Sequence, residues 1–455
     1  MNTLLIYPPG KTSFITPPLG LMYLGAYLKK AGHVPEILDF LLNKFDEDLL
    51  FEKVKKAELI GISAVTPLIA NAIKLANLIK DKFPEKIIVL GGPHPTLLPK
   101  ETLDSCKNID YIVKGEGEER LNWLIEYLEG KRSKENLDGI YFKKNGGTID
   151  LPQKSRLENL DLLLFPAREL VPIEKYSKFL ESRKKPATTI ITSRGCPFSC
   201  TYCSKPIFGR FCRERSPENI LEEIVFLKEK YHIKEVIFYD DTFTLNRERV
   251  KKLCQLLIEK RADISWKCET RVNLVDEELL QLMKRAGCYL IGYGIESGNQ
   301  KILDVLKKGI TIAEIERAVQ MTRKAGIEIL GYFMLGIPGE GEKEIRETIK
   351  FAKSLNIDYA QFSIATAFPG TELYQIAKAK NRIPKDWQDS FYALGQTKKV
   401  ISLCELDPET LQKYLKKAYR SFYFRPSYIK RKILEIKSPK TFWRYLKGLK
   451  TLSKI

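Results

Sequence analysis

Cys196, Cys200 and Cys203 stand in the run Arg194-Gly-Cys-Pro-Phe-Ser-Cys-Thr-Tyr-Cys-Ser204, a C-x-x-x-C-x-x-C spacing. Three thiolates in so short a stretch can hold three irons of a [4Fe-4S] cube and leave the fourth without a protein ligand. An iron left open in this way can bind a substrate or a second cofactor. Structural zinc asks for two spaced cysteine pairs or a cysteine and histidine mixture. The three histidines, His33, His94 and His232, are all remote from the loop in sequence. On spacing alone, a zinc site completed from elsewhere or three free thiols stays open. The other six cysteines, Cys106, Cys212, Cys254, Cys268, Cys288 and Cys404, are scattered with no paired framework. They read as thiols in a reducing compartment rather than disulfides.

Such a loop has to be held by something regular. Short β-rich runs fall at 188–193, 235–239, 265–269, 289–295, 328–334 and 358–365, most followed by amphipathic segments of helix length such as 250–260, 277–286 and 312–325. Parallel strands need helical crossovers, and right-handed crossovers curl the sheet, so residues 186–400 are expected to form a partial (β/α)6 barrel. In such a barrel, chemistry collects at the C-terminal strand ends. The cysteine loop follows the first strand, Asp240-Asp241 the second, Thr270-Arg271 the third and Glu296-Ser-Gly298 the fourth. Gly336-Ile-Pro-Gly339 follows the fifth and Phe368-Pro-Gly-Thr371 the sixth, so all six clusters are expected on one face.

Residues 1–135 alternate in the same manner, with strands expected at 3–7, 59–63, 87–91 and 110–113. This is the pattern of a Rossmann-like open α/β sheet. Ligands of such sheets sit at the carboxyl ends of the strands. There the loops Pro8-Pro-Gly10, Ser63-Ala-Val-Thr66, Gly91-Gly-Pro-His-Pro95 and Gly115-Glu-Gly-Glu118 would converge. Glycines let backbone approach a large ligand and small hydroxyls bond to it, although the same residues also make ordinary turns. Residues 136–185 lose the periodicity and read as a linker, and 401–455 read as a helical, basic C-terminal region.

The Cys-x-x-x-Cys-x-aromatic-Cys pattern, with Tyr202 as the aromatic, resembles the hallmark of the radical S-adenosylmethionine (radical SAM) family. The resemblance implies a cluster on Cys196, Cys200 and Cys203 whose open iron chelates SAM. An electron, from a donor such as ferredoxin or flavodoxin, then splits SAM to methionine and a 5′-deoxyadenosyl radical. It also implies SAM contacts from Tyr202, from Asp240 or Asp241 to the methionyl amino group, from Arg271 and Glu296 to the carboxylate and ribose, and from Gly336 and Pro338 along the adenine. Pro17-Pro-Leu-Gly20, Gly61-Ile-Ser-Ala-Val-Thr66, Gly91-Gly-Pro-His94 and Gly115-Glu-Gly-Glu118 are similar to the cobalamin-binding domain that precedes many radical SAM domains. They imply cobalamin contacts from Pro9, Gly10, Ser63, Thr66, Gly91, Gly92, His94 and Glu116. The Asp-x-His-x-x-Gly that supplies a lower axial histidine is absent, since His33 lies in Ala31-Gly-His-Val34, so cobalamin is expected without histidine ligation. His94, between two prolines, reads as a rigid-turn residue more than a cobalt ligand.

Trp266-Lys-Cys-Glu-Thr-Arg271, Gly294-Ile-Glu-Ser-Gly298, Pro338-Gly-Glu340 and Tyr419-Arg-Ser-Phe-Tyr-Phe-Arg-Pro426 resemble the branch that includes the anaerobic magnesium-protoporphyrin ester cyclase and the hopanoid methylases. Gly341 departs from that branch, where Thr is common after Pro-Gly-Glu. The expected activity is methylation of an unactivated carbon after hydrogen abstraction by the deoxyadenosyl radical. Ring formation or oxidation on the same cofactors is the second reading, because fold does not fix chemistry. An iron-sulfur protein that binds RNA or a membrane is the third.

The 455 residues allow two or three domains and are 44% hydrophobic, with no run of ~18 apolar residues and no signal-like start. A cytoplasmic protein is expected. The net charge of +19 is uneven: Leu411 to Ile455 holds fourteen Lys plus Arg and one acid, or +13, which leaves +6 for the rest. In 438–455, Phe442, Tyr445, Leu446, Leu449 and Leu452 share one helical face beside Lys440, Arg444, Lys447 and Lys454. That pattern fits a helix resting on the inner face of a membrane, with a lipid or isoprenoid substrate, or a terminal helix packed on the barrel. Nucleic acid is disfavoured because no recognition motif accompanies the charge.

Overall fold

A computed structural model of the chain describes residues 1–10, 15–144, 147–180, 182–383, 391–393, 396–397 and 400–434. The terminal face expected in 438–455 lies outside the described residues.

The first sheet contains β1 (Asn2–Tyr7), β2 (Val34–Asp39), β3 (Leu59–Ser63), β4 (Ile87–Gly91), β5 (Tyr111–Val113), β6 (Ile140–Lys144) and β7 (Gly147–Asp150). Their order is β2-β1-β3-β4-β5-β6-β7, parallel through β5 and antiparallel from β5 to β7. Strand residues alternate between two cores: Leu4, Ile6, Ile60, Ile62, Ile88 and Leu90 on one face, Leu5, Leu59 and Val89 on the other. A strand buried on both faces reads as a continuous apolar run, which is why these segments are legible. Strand order reverses between β1 and β3, the crevice in which such sheets take ligands. The stretch expected as a linker contributes β6 and β7. Its Ile140-Tyr-Phe142 run and Asn145-Gly146 pair carry an ordinary hairpin signal that the charged neighbours masked.

The second half begins with β8 (Ala187–Ile190) and a short antiparallel pair, β9 (Ser193–Arg194) and β10 (Arg213–Glu214). It continues with β11 (Glu235–Phe238), β12 (Ser265–Thr270), β13 (Cys288–Glu296), β14 (Glu328–Leu335) and β15 (Tyr359–Ile364). The order β8-β11-β12-β13-β14-β15 is parallel throughout, and β8 does not meet β15, so the barrel stays open. Phe238, Trp266, Cys268, Phe333 and Phe362 bury outward against the helices in one large core. Period-two alternation turns Tyr239, Glu269, Tyr332, Gln361 and Ser363 to the inner face. There Glu269, Gln361 and Ser363 remain exposed.

The helix Pro408–Tyr423 covers the free edge of β15. It is capped by the Asp407 carboxylate on the Thr410 N–H and buries Leu411, Tyr414, Ala418 and Phe422. Its tyrosines, one helical turn apart, reach the strand backbone. The Tyr419 hydroxyl accepts from Phe362 N and donates to Phe362 O, and the Tyr423 hydroxyl does the same at Ala360. An exposed edge strand is a template for aggregation, and covering it removes that hazard.

Candidate active site

The cysteine loop, residues 195–212, is closed at its stem by β9 and β10. Gly195 opens it at φ +92°, where a Cβ would come within 2.3 Å of the Phe211 carbonyl oxygen, so only glycine fits. Lys205 folds back to donate from Nζ to the carbonyls of Cys196 and Phe198. The Thr201 N–H donates to Leu306 O at 3.0 Å, and its carbonyl accepts from Leu373 N at 2.9 Å, which pins the loop to segments following β13 and β15. Cys196 is buried, Cys200 half-buried and Cys203 exposed. Among the described residues no three His, Cys, Asp or Glu side chains gather closely enough to hold one metal ion. A cube offers each thiolate its own iron and asks for no such convergence. Three thiols on one ordered loop, with further donors opposite, fit it.

Those donors come from the ends of β12 and β13. The Arg271 guanidinium stacks 3.7 Å from the Phe198 ring centroid, donates from Nη1 to Cys200 Sγ at 3.8 Å, and donates from Nη2 to Lys308 O. Glu296 has φ +69°, and Ser297 N donates across it to Ile295 O at 2.9 Å. Such a turn is strained for a residue with a side chain, and strain of this kind concentrates at functional sites. The turn points the Glu296 carboxylate at Tyr202 OH, which donates to Oε1 at 2.8 Å, and at Lys308 Nζ, also at 2.8 Å. Lys308 also donates to the Tyr202 hydroxyl at 3.0 Å. Burial, then the Glu296 charge, push the Tyr202 phenol well above its ordinary range, so it keeps its proton and donates it in the hydrogen bond to Glu296.

Asp240 and Asp241 are split by the backbone. Asp240 is buried, and its Oδ1 accepts from Thr192 N, Thr192 Oγ1 and Ser193 Oγ, while Oδ2 has no partner among the described residues. Asp241 is exposed. After β14, Glu340 Oε2 accepts from Gly336 N at 2.6 Å and Ile337 N at 2.8 Å, fixing the segment that holds Gly336 and Pro338. Burial raises the Glu340 carboxyl to about 7.

The loops of the first sheet are knit from backbone and small hydroxyls. Ala64 N donates to Gly91 O, His94 N to Ala64 O, and Asn71 Nδ2 to Pro9 O. Gly92 sits at φ +95° and ψ −174°, a region open essentially to glycine alone, and a Cβ there would stand 3.0 Å from Ala64 and Ser63. The cradle leaves no room for a side chain beside Ser63, which suits a large ligand approached by backbone. Gly10, Thr66 and Gly91 lie in the same set of loops.

Two of the expected cobalamin contacts have partners within the protein. His94 is 1% exposed, its Nδ1 3.2 Å from Thr66 Oγ1, and burial lowers it to about 4, so it stays neutral inside the protein. With its backbone N–H on Ala64 O, it ties the loops after β3 and β4 together. Both oxygens of Glu116 accept from arginines, Arg194 and Arg213. Lys205, Lys308, Arg194 and Arg213 went unrecognised in the sequence; only the proximity of Lys205 and Arg194 to the cysteines carried any signal.

The sequence profile of the radical SAM superfamily matches residues 190–352, and that of the B12 binding domain matches residues 10–125. An uncharacterized methyltransferase of Pyrococcus horikoshii is 36% identical over 449 residues, 96% of this chain and 95% of its own length. The anaerobic magnesium-protoporphyrin IX monomethyl ester cyclase of Rubrivivax gelatinosus is 32% identical over 368 residues, 79% of this chain and 66% of its own. The radical SAM methyltransferase TsrM of Kitasatospora setae, solved with cobalamin and a [4Fe-4S] cluster, shares the fold at TM-score 0.72 and 21% identity over 83% of this chain and 78% of that one. The chain is an enzyme of the radical SAM superfamily, in the branch that carries an N-terminal B12-binding domain and holds methyltransferases.

Proposed function

We propose that the protein is a cobalamin-dependent radical SAM C-methyltransferase acting on an unactivated carbon, with its electron supplied by a ferredoxin or flavodoxin. Bound, the cluster and SAM supply the radical and cobalamin carries the methyl group. The observation that carries this reading is the apposition of the two ligand ends: Glu116, after β5, contacts Arg194, two residues before Cys196. Cys196, Cys200 and Cys203 would hold the cluster. Lys308, Tyr202 and the strained Glu296 form a charged bracket beside it, suited to a zwitterionic methionyl group and ribose hydroxyls. Asp240 Oδ2 and Asp241 would accept from the amino group, and the fixed Gly336–Pro338 segment would lie along the adenine. The Ser63, Gly91 and Gly92 cradle would take cobalamin.

The inner face supports a substrate with hydrogen-bonding groups near its reacting carbon. The Tyr332 hydroxyl donates to Glu269, and Gln361 and Ser363 open onto the same lumen. A lipid or isoprenoid would enter polar end first. The tail supports contact with an anionic bilayer: Phe424, Ile429, Ile433 and Leu434 are exposed, Ile433 at 61% and Leu434 at 70%, within the +13 segment.

The test is anaerobic reconstitution with iron, sulfide and cobalamin, then SAM carrying a labelled methyl group, a reductant and a metabolite extract. The expected products are 5′-deoxyadenosine and a labelled metabolite. Deoxyadenosine no higher than in a Cys200→Ala control would sink the radical reading, and deoxyadenosine with no transferred label would move the function to ring formation or oxidation.

A further inference from the structure

One carboxylate of the first domain grips both sides of the cysteine-loop stem. Arg194 and Arg213 are cross-strand partners in β9 and β10, the two residues between which the loop leaves and returns. Both are almost wholly buried, at 3% and 4%, and both end on Glu116, itself 7% exposed. Glu116 Oε1 accepts from Arg194 Nη1 at 2.5 Å and Oε2 from Arg213 Nη1 at 2.9 Å. Glu118 Oε1 takes the other Arg194 nitrogen, Nη2. The Arg194 guanidinium also lies between Tyr23 of the first domain and Phe208 of the loop, 5.2 and 5.0 Å from their ring centroids.

Glu116 is itself braced from behind. Its carbonyl accepts from Arg120 Nη1, and Arg120 Nε donates to Asp138 at 3.1 Å. The neighbouring Gly115 N–H donates to Thr96 Oγ1 at 2.9 Å, and Thr96 N donates to Gly92 O at 3.2 Å. Short hydrogen-bonded steps therefore connect the Gly92 cradle to the residue two before Cys196. Buried ion pairs add little net stability compared with an apolar contact, but their directional bonds fix geometry. Two opposed cofactor sites need fixed geometry more than they need adhesion.

We propose that Glu116 is a positioning residue that sets the cysteine loop at a fixed distance and angle to the Gly91–His94 loop, and so couples SAM cleavage to methyl transfer. The coupling part rests on the function proposed above; the clamp itself does not. The test is Glu116→Gln in the full chain, an isosteric change that removes the charge. In the protein without cofactors, hydrogen exchange in peptides spanning 193–214 should rise about tenfold, while β1, β3 and β4 stay protected. In the reconstituted enzyme, iron content and cobalamin affinity should match wild type while deoxyadenosine released per methyl transferred rises about tenfold, since a small misplacement costs that much. Glu116→Asp should restore part of both readouts. Wild-type exchange and wild-type coupling would overturn the proposal, as would lost cobalamin affinity with an intact stem, which would make Glu116 a cofactor contact. If Glu116→Gln does not fold, Arg213→Lys, which keeps the charge and loses the fork, carries the same readouts. If the wild-type protein makes no deoxyadenosine, the function proposed above fails while the exchange measurement still judges the clamp.

Discussion

At the ends of β3 and β4 the first sheet offers backbone, glycine and small hydroxyls, joined by bonds such as Ala64 N to Gly91 O and His94 Nδ1 to Thr66 Oγ1. At the ends of β11, β12 and β13 the second sheet offers Asp240, Asp241, Arg271 and Glu296 around a loop of cysteines, with Lys308 brought back from farther along the chain. Both are carboxyl ends of parallel strands, so topology does not account for the difference. Under the function proposed above, the ligand does: a large, mostly uncharged macrocycle is held by shape and close backbone approach, whereas a charged amino-acid head beside a redox cluster needs fixed countercharges. The contrast teaches that a ligand's charge can be read from the composition of its strand-end loops once the fold has put them side by side.

The sharpest way to break the comparison is to remove a thiolate. Cys200→Ala should lose iron-sulfur absorbance and all deoxyadenosine, yet still take up cobalamin to the wild-type extent by visible titration; a joint loss would mean that the two mouths are one site. Next comes Lys308→Met, which strands the Glu296 carboxylate in the interior. Breaking a buried pair in this way costs about 3–5 kcal/mol, so denaturant unfolding should shift by that amount and SAM binding should weaken with it. Unchanged stability would mean that Glu296 turns to solvent once unpaired.

Glu340 sharpens the charged side through pH. Its carboxyl sits at about 7 in the folded protein against an ordinary 4.5. Between those values the folded state holds a proton that the unfolded state has released, so stability falls as pH rises from 4.5 through 7 and then levels. Glu340→Gln mimics the protonated acid. It should unfold like wild type near pH 4 and be more stable at pH 8 by at most about 3 kcal/mol, measured by denaturant titration at both values. The smallest effect is expected on the neutral side. Gly92→Val forces a β-branched residue into glycine-only backbone, a strain of about 1–3 kcal/mol. Cobalamin should bind roughly 10- to 100-fold more weakly while the cluster spectrum is unaltered.

Much of the first sheet is legible because a parallel strand covered on both faces is apolar along its length. All six strands of the barrel lie within a few residues of the expected β-rich runs, in which outward apolar residues alternate with residues facing the lumen. β2 is hidden in the sequence because Val34-Pro-Glu-Ile-Leu-Asp39 mixes a proline and an acid into the run. The structure explains the tolerance: β2 is the edge of its sheet, and an edge strand can spare the N–H that Pro35 lacks. Of the site, the cysteine loop was legible as a local pattern. Lys308 was not, because its meaning lies in Glu296 and Tyr202, brought to it by folding. Glu116 reads in the sequence as a ligand contact because it lies in a crevice loop; its arginine partners, from far along the chain, are visible only once the chain is folded.

The two tyrosine hydroxyls on β15 have a consequence for biosynthesis. Tyr419 and Tyr423 cover Phe362 and Ala360, which precede them by 57 and 63 residues. A chain emerging from the ribosome therefore completes its six-stranded sheet well before the cover for its last strand has been made. During that interval β15 presents unsatisfied backbone to any other nascent chain nearby. Polypeptides stopped before Pro408 should accumulate as aggregates, where those ending after Tyr423 stay dispersed.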